Sequence, residues 1–176
     1  ASIGENLTNS FSVAAWFRSN FPLPATGGTR TSRMLEKGDA FFFLQNPGTG
    51  GMNFLVKKNN ANFTASSGVS LELNVWYHIV GTFDGSAIRL YLNGELKGTN
   101  AVAGPLDDDH LPLRIGSDDA GAFFNGDMDD VRIWNRPLTA LEIEQLSGKV
   151  VSGPPAITQQ PMSQTVFAGA TAEFTV

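Results

Sequence analysis

The chain has 176 residues, of which 41% are hydrophobic, a net charge of −5 and no cysteine. That length suits one filled domain with a small appendage, and Lys57-Lys58 is the only adjacent basic pair, so nucleic acid is disfavoured as a partner because phosphate binding needs clustered Lys and Arg. The lack of cysteine excludes a disulfide framework, a thiolate metal site and a thiol nucleophile, and no run approaches the length of a membrane-spanning helix.

The 19 Gly and 9 Pro follow no fixed period, which suits many turns between short strands and an all-β fold. Phe11 to Arg18 alternates as a strand, with Phe11, Val13, Ala15 and Phe17 on one face and Trp16 with Arg18 on the other; Pro22 and Pro24 end it. Thr31 to Lys37 is the next strand, and Gly38-Asp39 turns the chain into Ala40 to Gln45. Met52 to Lys57 and Asn62 to Ala65 form a further hairpin about Asn59-Asn60.

Asn74 to Gly94 holds two alternating apolar runs that flank Asp84-Gly85-Ser86, the clearest hairpin signal in the sequence. His78, Val80 and Thr82 are placed in one set with Ile88, Leu90 and Leu92, and Tyr77, Ile79 and Phe83 in the other with Arg89 and Tyr91. Large side chains on both faces predict a central hairpin covered on both sides. Asn93-Gly94 then turns into a third strand from Glu95 to Thr99. The run Asp107-Asp108-Asp109 lacks alternating ligand spacing and is predicted to be a solvated loop. Leu111 to Ile115 and Asp127 to Trp134 complete the strands. One helix is predicted, with Thr139 as N-cap, Glu142 closing a capping box, Leu141, Ile143 and Leu146 as its apolar stripe and Gly148 as C-cap.

Three ordered blocks carry a resemblance. They are Trp76-Tyr77-His78 through Asp84-Gly85 to Leu90-Tyr91-Leu92-Asn93-Gly94; Leu113-Arg114-Ile115-Gly116; and Phe124-Asn125-Gly126-Asp127 through Trp134-Asn135-Arg136-Pro137-Leu138 with Glu142-Ile143. Together they resemble the laminin G-like, concanavalin A-like jelly-roll domains of secreted bacterial proteins, whose relatives include the pentraxins. The resemblance implies a two-sheet antiparallel β-sandwich (jelly roll) over residues 1–149 with one short C-terminal helix. Residues 150–155 are a Pro-rich linker, and residues 156–176 resemble the first two strands of a bacterial immunoglobulin-like domain. The family usually opens with a strand that pairs beside the final one, and this sequence starts after it. The edge of Asp127 to Trp134 would then be free for the segment from Thr171 to Val176, from the same chain or a neighbour.

The functions implied are non-catalytic carbohydrate binding, outside the cell or at a bacterial cell surface, or a structural and adhesive module that assembles through strand pairing. No catalytic set is present: the acidic strand Asp127, Asp129, Asp130 has no Glu, and His78 falls at a position where the family has a core residue. The resemblance implies one calcium ion held by Asp129 with Asp39 or the Gly38 carbonyl across from it. A glycan or polysaccharide needs an aromatic face and hydrogen-bonding groups. Loop residues Asn46, Asn53, Asn59, Asp118 and Phe123 are the candidates, with Trp16, Trp76 and Trp134 read as packing. Arg18, Arg33 and Lys37 are either contacts for an acidic glycan or partners of surface carboxylates.

Overall fold

A computed structural model describes residues 7–20, 32–38, 40–46, 49–108, 110–118, 121 and 123–149. Asp39, the linker and residues 156–176, with the proposed pairing segment 171–176, lie outside the described residues. The strands are β1 (Phe11–Ser19), β2 (Ser32–Lys37), β3 (Phe41–Gln45), β4 (Met52–Lys58), β5 (Ala61–Ser66), β6 (Trp76–Phe83), β7 (Ala87–Leu92), β8 (Glu95–Ala101), β9 (Arg114–Ile115) and β10 (Gly126–Trp134), followed by helix α1 (Ala140–Leu146). They form two antiparallel five-stranded sheets, the first in the order β10-β1-β6-β7-β8 and the second β5-β4-β3-β2-β9. This is the predicted sandwich, and the β6–β7 hairpin is central in its sheet as expected.

The core lies between the sheets. Phe11, Val13, Ala15 and Phe17 of β1 enter it with Ile79, Phe83, Ile88 and Leu90 from the hairpin, and Phe41, Phe43 and Phe54 meet them from the second sheet. Phe11 and Phe41 have ring centroids 5.2 Å apart, and Phe43 and Phe54 5.1 Å. Gly81 makes room for this layer: a Cβ there would come within 2.7 Å of the Phe54 ring.

The hairpin faces differ from expectation. Phe83 pairs with Ile88 and Ile79 with Leu92, so the four residues 84–87 separate the first pair and odd positions of β6 share a face with even positions of β7. Ile88, Leu90 and Leu92 therefore join Ile79 and Phe83 in the core, while His78, Val80 and Thr82 lie with Arg89 and Tyr91 on the outside. The turn is set by Asp84, whose Oδ1 accepts the N–H groups of Ser86 and Ala87 at 2.8 Å each. Burial pushes the Asp84 carboxyl up, but hydrogen bonds from Arg89, Ser86 and Ala87 outweigh it and hold the group far below the usual carboxylate range.

Helix α1 packs on the outer face of the first sheet, where Leu138 and Ile143 meet Ala14 and Val80, with Tyr91, Trp134 and Leu146 around them. Trp134 is thus a packing residue, as predicted. The capping box between Thr139 and Glu142 is present. Leu141 is 49% exposed, so Leu138 takes its place in the stripe, and the C-cap is Ser147, with Gly148 just after it at φ 72°. Ser12 fastens the helix entry to β1: its hydroxyl donates to the Arg136 carbonyl at 2.9 Å and accepts the Leu138 N–H at 2.8 Å.

Two further expectations are corrected. The strand predicted from Leu111 shrinks to Arg114–Ile115, paired only with Glu36 and Leu35; Pro112 has no N–H to give a ladder. The acidic run is not simply a solvated loop. Asp108 is buried against Lys37, with Nζ 3.3 Å from Oδ1 and side-chain exposures of 7% and 4%. Burial pushes the Asp108 carboxyl up, while the His110 N–H and the Lys37 ammonium outweigh that and leave it below its ordinary value. Asp107 accepts the N–H groups of Asn59 and Asn60 at 2.9 and 2.8 Å, which shapes the β4–β5 turn.

Candidate functional site

Strand alternation turns Phe17, Tyr77 and Met128 toward the core, so their neighbours Trp16 and Arg18, Trp76 and His78, and Asp127 and Asp129 project from the outer face of the first sheet. The ladders arrange them in two rows across β10, β1 and β6. Asp129 is opposite Trp16, which is opposite His78; Asp127 is opposite Arg18, which is opposite Trp76. These rows lie along β1 from Ala14, which α1 covers. A hollow of about 320 Å³ opens there, lined among the described residues by Trp16, Trp76 and Asp129.

The charges around the hollow are largely matched. Arg18 donates from Nε and Nη2 to Asp127 Oδ2 at 2.9 and 2.8 Å, and its Cζ lies 5.3 Å from the Trp76 ring centre. Arg132 Nε donates to Asp130 Oδ1 at 2.7 Å. Asp129 differs: its Oδ1 accepts the Asp130 N–H at 2.7 Å, and no cation pairs with it among the described residues. Asp130 has φ 51°, at the irregularity between Ala14 and Trp16 where the β1–β10 register shifts. Asp tolerates that left-handed conformation better than most residues, and the bulge sets Asp129 apart from its acidic neighbours.

His78 packs beside Trp16 on the same face. It is 3% exposed, its ring centroid is 5.1 Å from that of Trp16, and its Nδ1 has no hydrogen-bond partner. Burial lowers its pKa from 6.5 to about 4, with Asp130 raising it and Arg132 lowering it by smaller amounts. The imidazole is therefore neutral near neutral pH.

The residues singled out in the sequence are spread over the second sheet and its turns. Asn46 Oδ1 accepts the Thr49 N–H at 3.2 Å and helps close the β3–β4 turn. Asn53 projects from the outer face of β4 in a row with Leu44 and Arg33. Arg33 lies within 3.6 Å of Asp118 and 3.5 Å of Glu36, its Cζ 3.8 Å from the centre of the Phe42 ring. Phe123, 72% exposed, bridges to Ser117 beside Asp118. These four therefore gather at one end of the second sheet. Asn59 does not join them: it caps the opposite end of β4 at φ 50°, beside a largely apolar hollow of about 420 Å³ that includes Phe63 and Val102.

Of the calcium set, Asp39 lies outside the described residues, and Gly38 and Asp129 stand on different sheets. Gly38 follows β2 in the second sheet, whereas Asp129 points off the outer face of the first. Among the described residues no group of three or more His, Asp or Glu is placed to hold a metal ion. The cations Arg18, Arg33 and Lys37 all face carboxylates. Sequence reasoning missed Trp16 and Trp76. The available signal was their place in the alternation, opposite the Phe11-Val13-Ala15-Phe17 core set.

The sequence profile of the concanavalin A-like lectin/glucanases superfamily matches residues 2–144. The chain belongs to this superfamily. Its fold recurs in a candidate carbohydrate-binding protein from Bacteroides ovatus, at 18% identity and a TM-score of 0.65 over 81% of this chain and 42% of that one. It recurs in domain 4 of an extracellular arabinanase from Geobacillus stearothermophilus, in complex with arabinotriose, at 19% identity and TM-score 0.63 over 80% and 67% of the two chains. A heptameric pentraxin from Limulus polyphemus matches at 17% identity and TM-score 0.58 over 80% and 70%. This superfamily member therefore spans less than half of the Bacteroides protein. At such identities the likeness is one of fold.

Proposed function

We propose that the chain is a non-catalytic carbohydrate-binding module of an extracellular bacterial protein and that it holds its sugar at Trp16, Trp76 and Asp129. The observation that carries this reading is the hollow lined, among the described residues, by two indoles from adjacent strands and, on the next strand, a carboxylate that no described cation pairs with. An indole face stacks on the C–H face of a pyranose, and an ionised carboxylate accepts hydroxyl hydrogen bonds. The non-catalytic reading is supported by Asp127 and Asp130, each bound to an arginine, so that among the described residues of this strand Asp129 has no second unpaired carboxylate beside it. The neighbour solved with arabinotriose and the superfamily are consistent with a sugar ligand. Extracellular placement rests on the family resemblance. The reading is not routed through calcium, because Gly38 and Asp129 lie on different sheets.

The test is a glycan and polysaccharide array run in calcium and in chelator. Selective binding that survives the chelator is expected, and a blank array with an intact fold would reject the reading. A second reading, assembly, is favoured by one observation: among the described residues the nine-residue β10 pairs with β1 alone, and such an edge is a template for another strand. It predicts a solution mass above 18.8 kDa, and a strict monomer at high concentration would reject it.

A further inference from the structure

We infer that the Trp16–Trp76–Asp129 hollow selects a glycan built from amino sugars with free, protonated amines, so that a ligand ammonium meets Asp129 while the sugar ring lies against the indoles. The inference rests on the carbohydrate reading and names the ligand class of that same site.

The argument is one of charge matching. Among the described residues two arginines and three aspartates lie on β1 and β10 at or beside the hollow, and only Asp129 lines it. Arg18 is held by Asp127 with two hydrogen bonds to one oxygen, and Arg132 by Asp130. Asp129 is left over, with one oxygen taken by a backbone N–H. A neutral sugar offers that carboxylate only hydroxyl donors and leaves its charge unmatched. An ammonium brings three N–H donors and the opposite charge, and such charge-assisted bonds are roughly twice as strong as neutral ones. An acidic sugar would meet a site whose cations are already engaged and whose remaining charge has its own sign. The Trp76 ring already carries the Arg18 guanidinium, 5.3 Å from its centre, so the ligand's charge is matched by Asp129 and not by that ring. Buried His78 supplies no competing positive charge near neutral pH.

The experiment is calorimetric titration of the full 176-residue chain at low salt with three oligosaccharides of one length and linkage: a β-1,4-glucosamine tetramer, its fully N-acetylated counterpart, and cellotetraose. The glucosamine tetramer is expected to bind about tenfold more tightly than the other two, an advantage that falls as salt rises. Asp129→Asn, on a strand that pairs on one side only among the described residues and isosteric, should fold normally and erase that advantage, bringing the amine tetramer down to the affinity of the neutral ones, which lose less. Trp76→Ala, a change at a 39% exposed position, should weaken binding of all three. If the acetylated or neutral tetramer binds as well as the amine and Asp129→Asn changes nothing, the amino-sugar inference falls while carbohydrate binding stands. If the parent binds none of the three and is also silent on the glycan array, both fall.

Discussion

The outer faces of the two sheets make an instructive contrast, because each combines aromatic, cationic and acidic side chains and the outcome differs. On the second sheet Phe42, Leu44 and Leu55 are buried at 5%, 8% and 7% exposure, and Arg33 lies over Phe42 between Glu36 and Asp118. That face is closed: its ring and the guanidinium over it are both largely buried, at 5% and 20% exposure, whereas Trp76 and the Arg18 over it on the first sheet each remain 39% exposed. On the first sheet α1 covers the rows at Ala14 and Val80 and leaves the rows at Trp16 and Arg18 outside the helix contact. There a hollow remains, with one carboxylate left over. Composition alone therefore does not distinguish a packed face from a binding face; the extent of the covering element and the charge left unpaired do.

Mutations sharpen this contrast in descending order of effect. The largest is expected at the rim of the second sheet, where Asp108→Ala would strand Lys37 as a buried cation and cost about 4 kcal/mol in denaturant unfolding. The double change Lys37→Met with Asp108→Leu should cost less than that single one, and equal losses would show that the pair is not electrostatically coupled. On the first sheet, Ile143→Ala removes the one fully buried contact of α1 and should cost about 3 kcal/mol while leaving the strands intact by circular dichroism.

His78 provides a pH-dependent test of the packing beside Trp16. Its folded pKa of about 4 lies below the unfolded value of 6.5, so as the pH falls the unfolded chain takes up the proton first. The contribution is complete above pH 6.5 and is lost as the pH falls from 6.5 toward about 4, by at most about 3 kcal/mol. His78→Gln should flatten this part of the stability profile; an unchanged slope would place the titration elsewhere. The smallest stability effect is expected for Trp76→Ala, below about 1 kcal/mol because the side chain is 39% exposed, although its effect on ligand binding should be the largest of the set.

Much of the fold was legible in local signals: alternation in β1, the Asp-Gly hairpin, the capping box of α1, and the three blocks that carry the family resemblance. The errors share a physical cause. The side-chain faces of the β6–β7 hairpin depend on how many residues the turn holds, and Phe83 pairing with Ile88 reversed the expected grouping on β7. Asp108 read as solvated because its partner Lys37 is 71 residues away in sequence. Leu141 read as part of the stripe because three- and four-residue spacing does not say which edge of that stripe reaches the sheet. The candidate site was the least legible part. The placement of Trp16 opposite the core set was readable, but whether its face is covered depends on where α1 crosses the sheet, and the matching of Asp127 and Asp130 but not Asp129 depends on a bulge. Asn46, Asn53, Asp118 and Phe123 did come together at one end of the second sheet, beside Arg33.

The most direct test is a side-by-side binding titration, with the best array ligand, of the parent chain, Trp76→Ala and Phe123→Ala, each checked for folding by its melting temperature. The account predicts that Trp76→Ala weakens binding at least tenfold and that Phe123→Ala binds as the parent does. The reverse pattern, loss with Phe123→Ala and parental affinity with Trp76→Ala, would contradict it and move the site to the end of the second sheet.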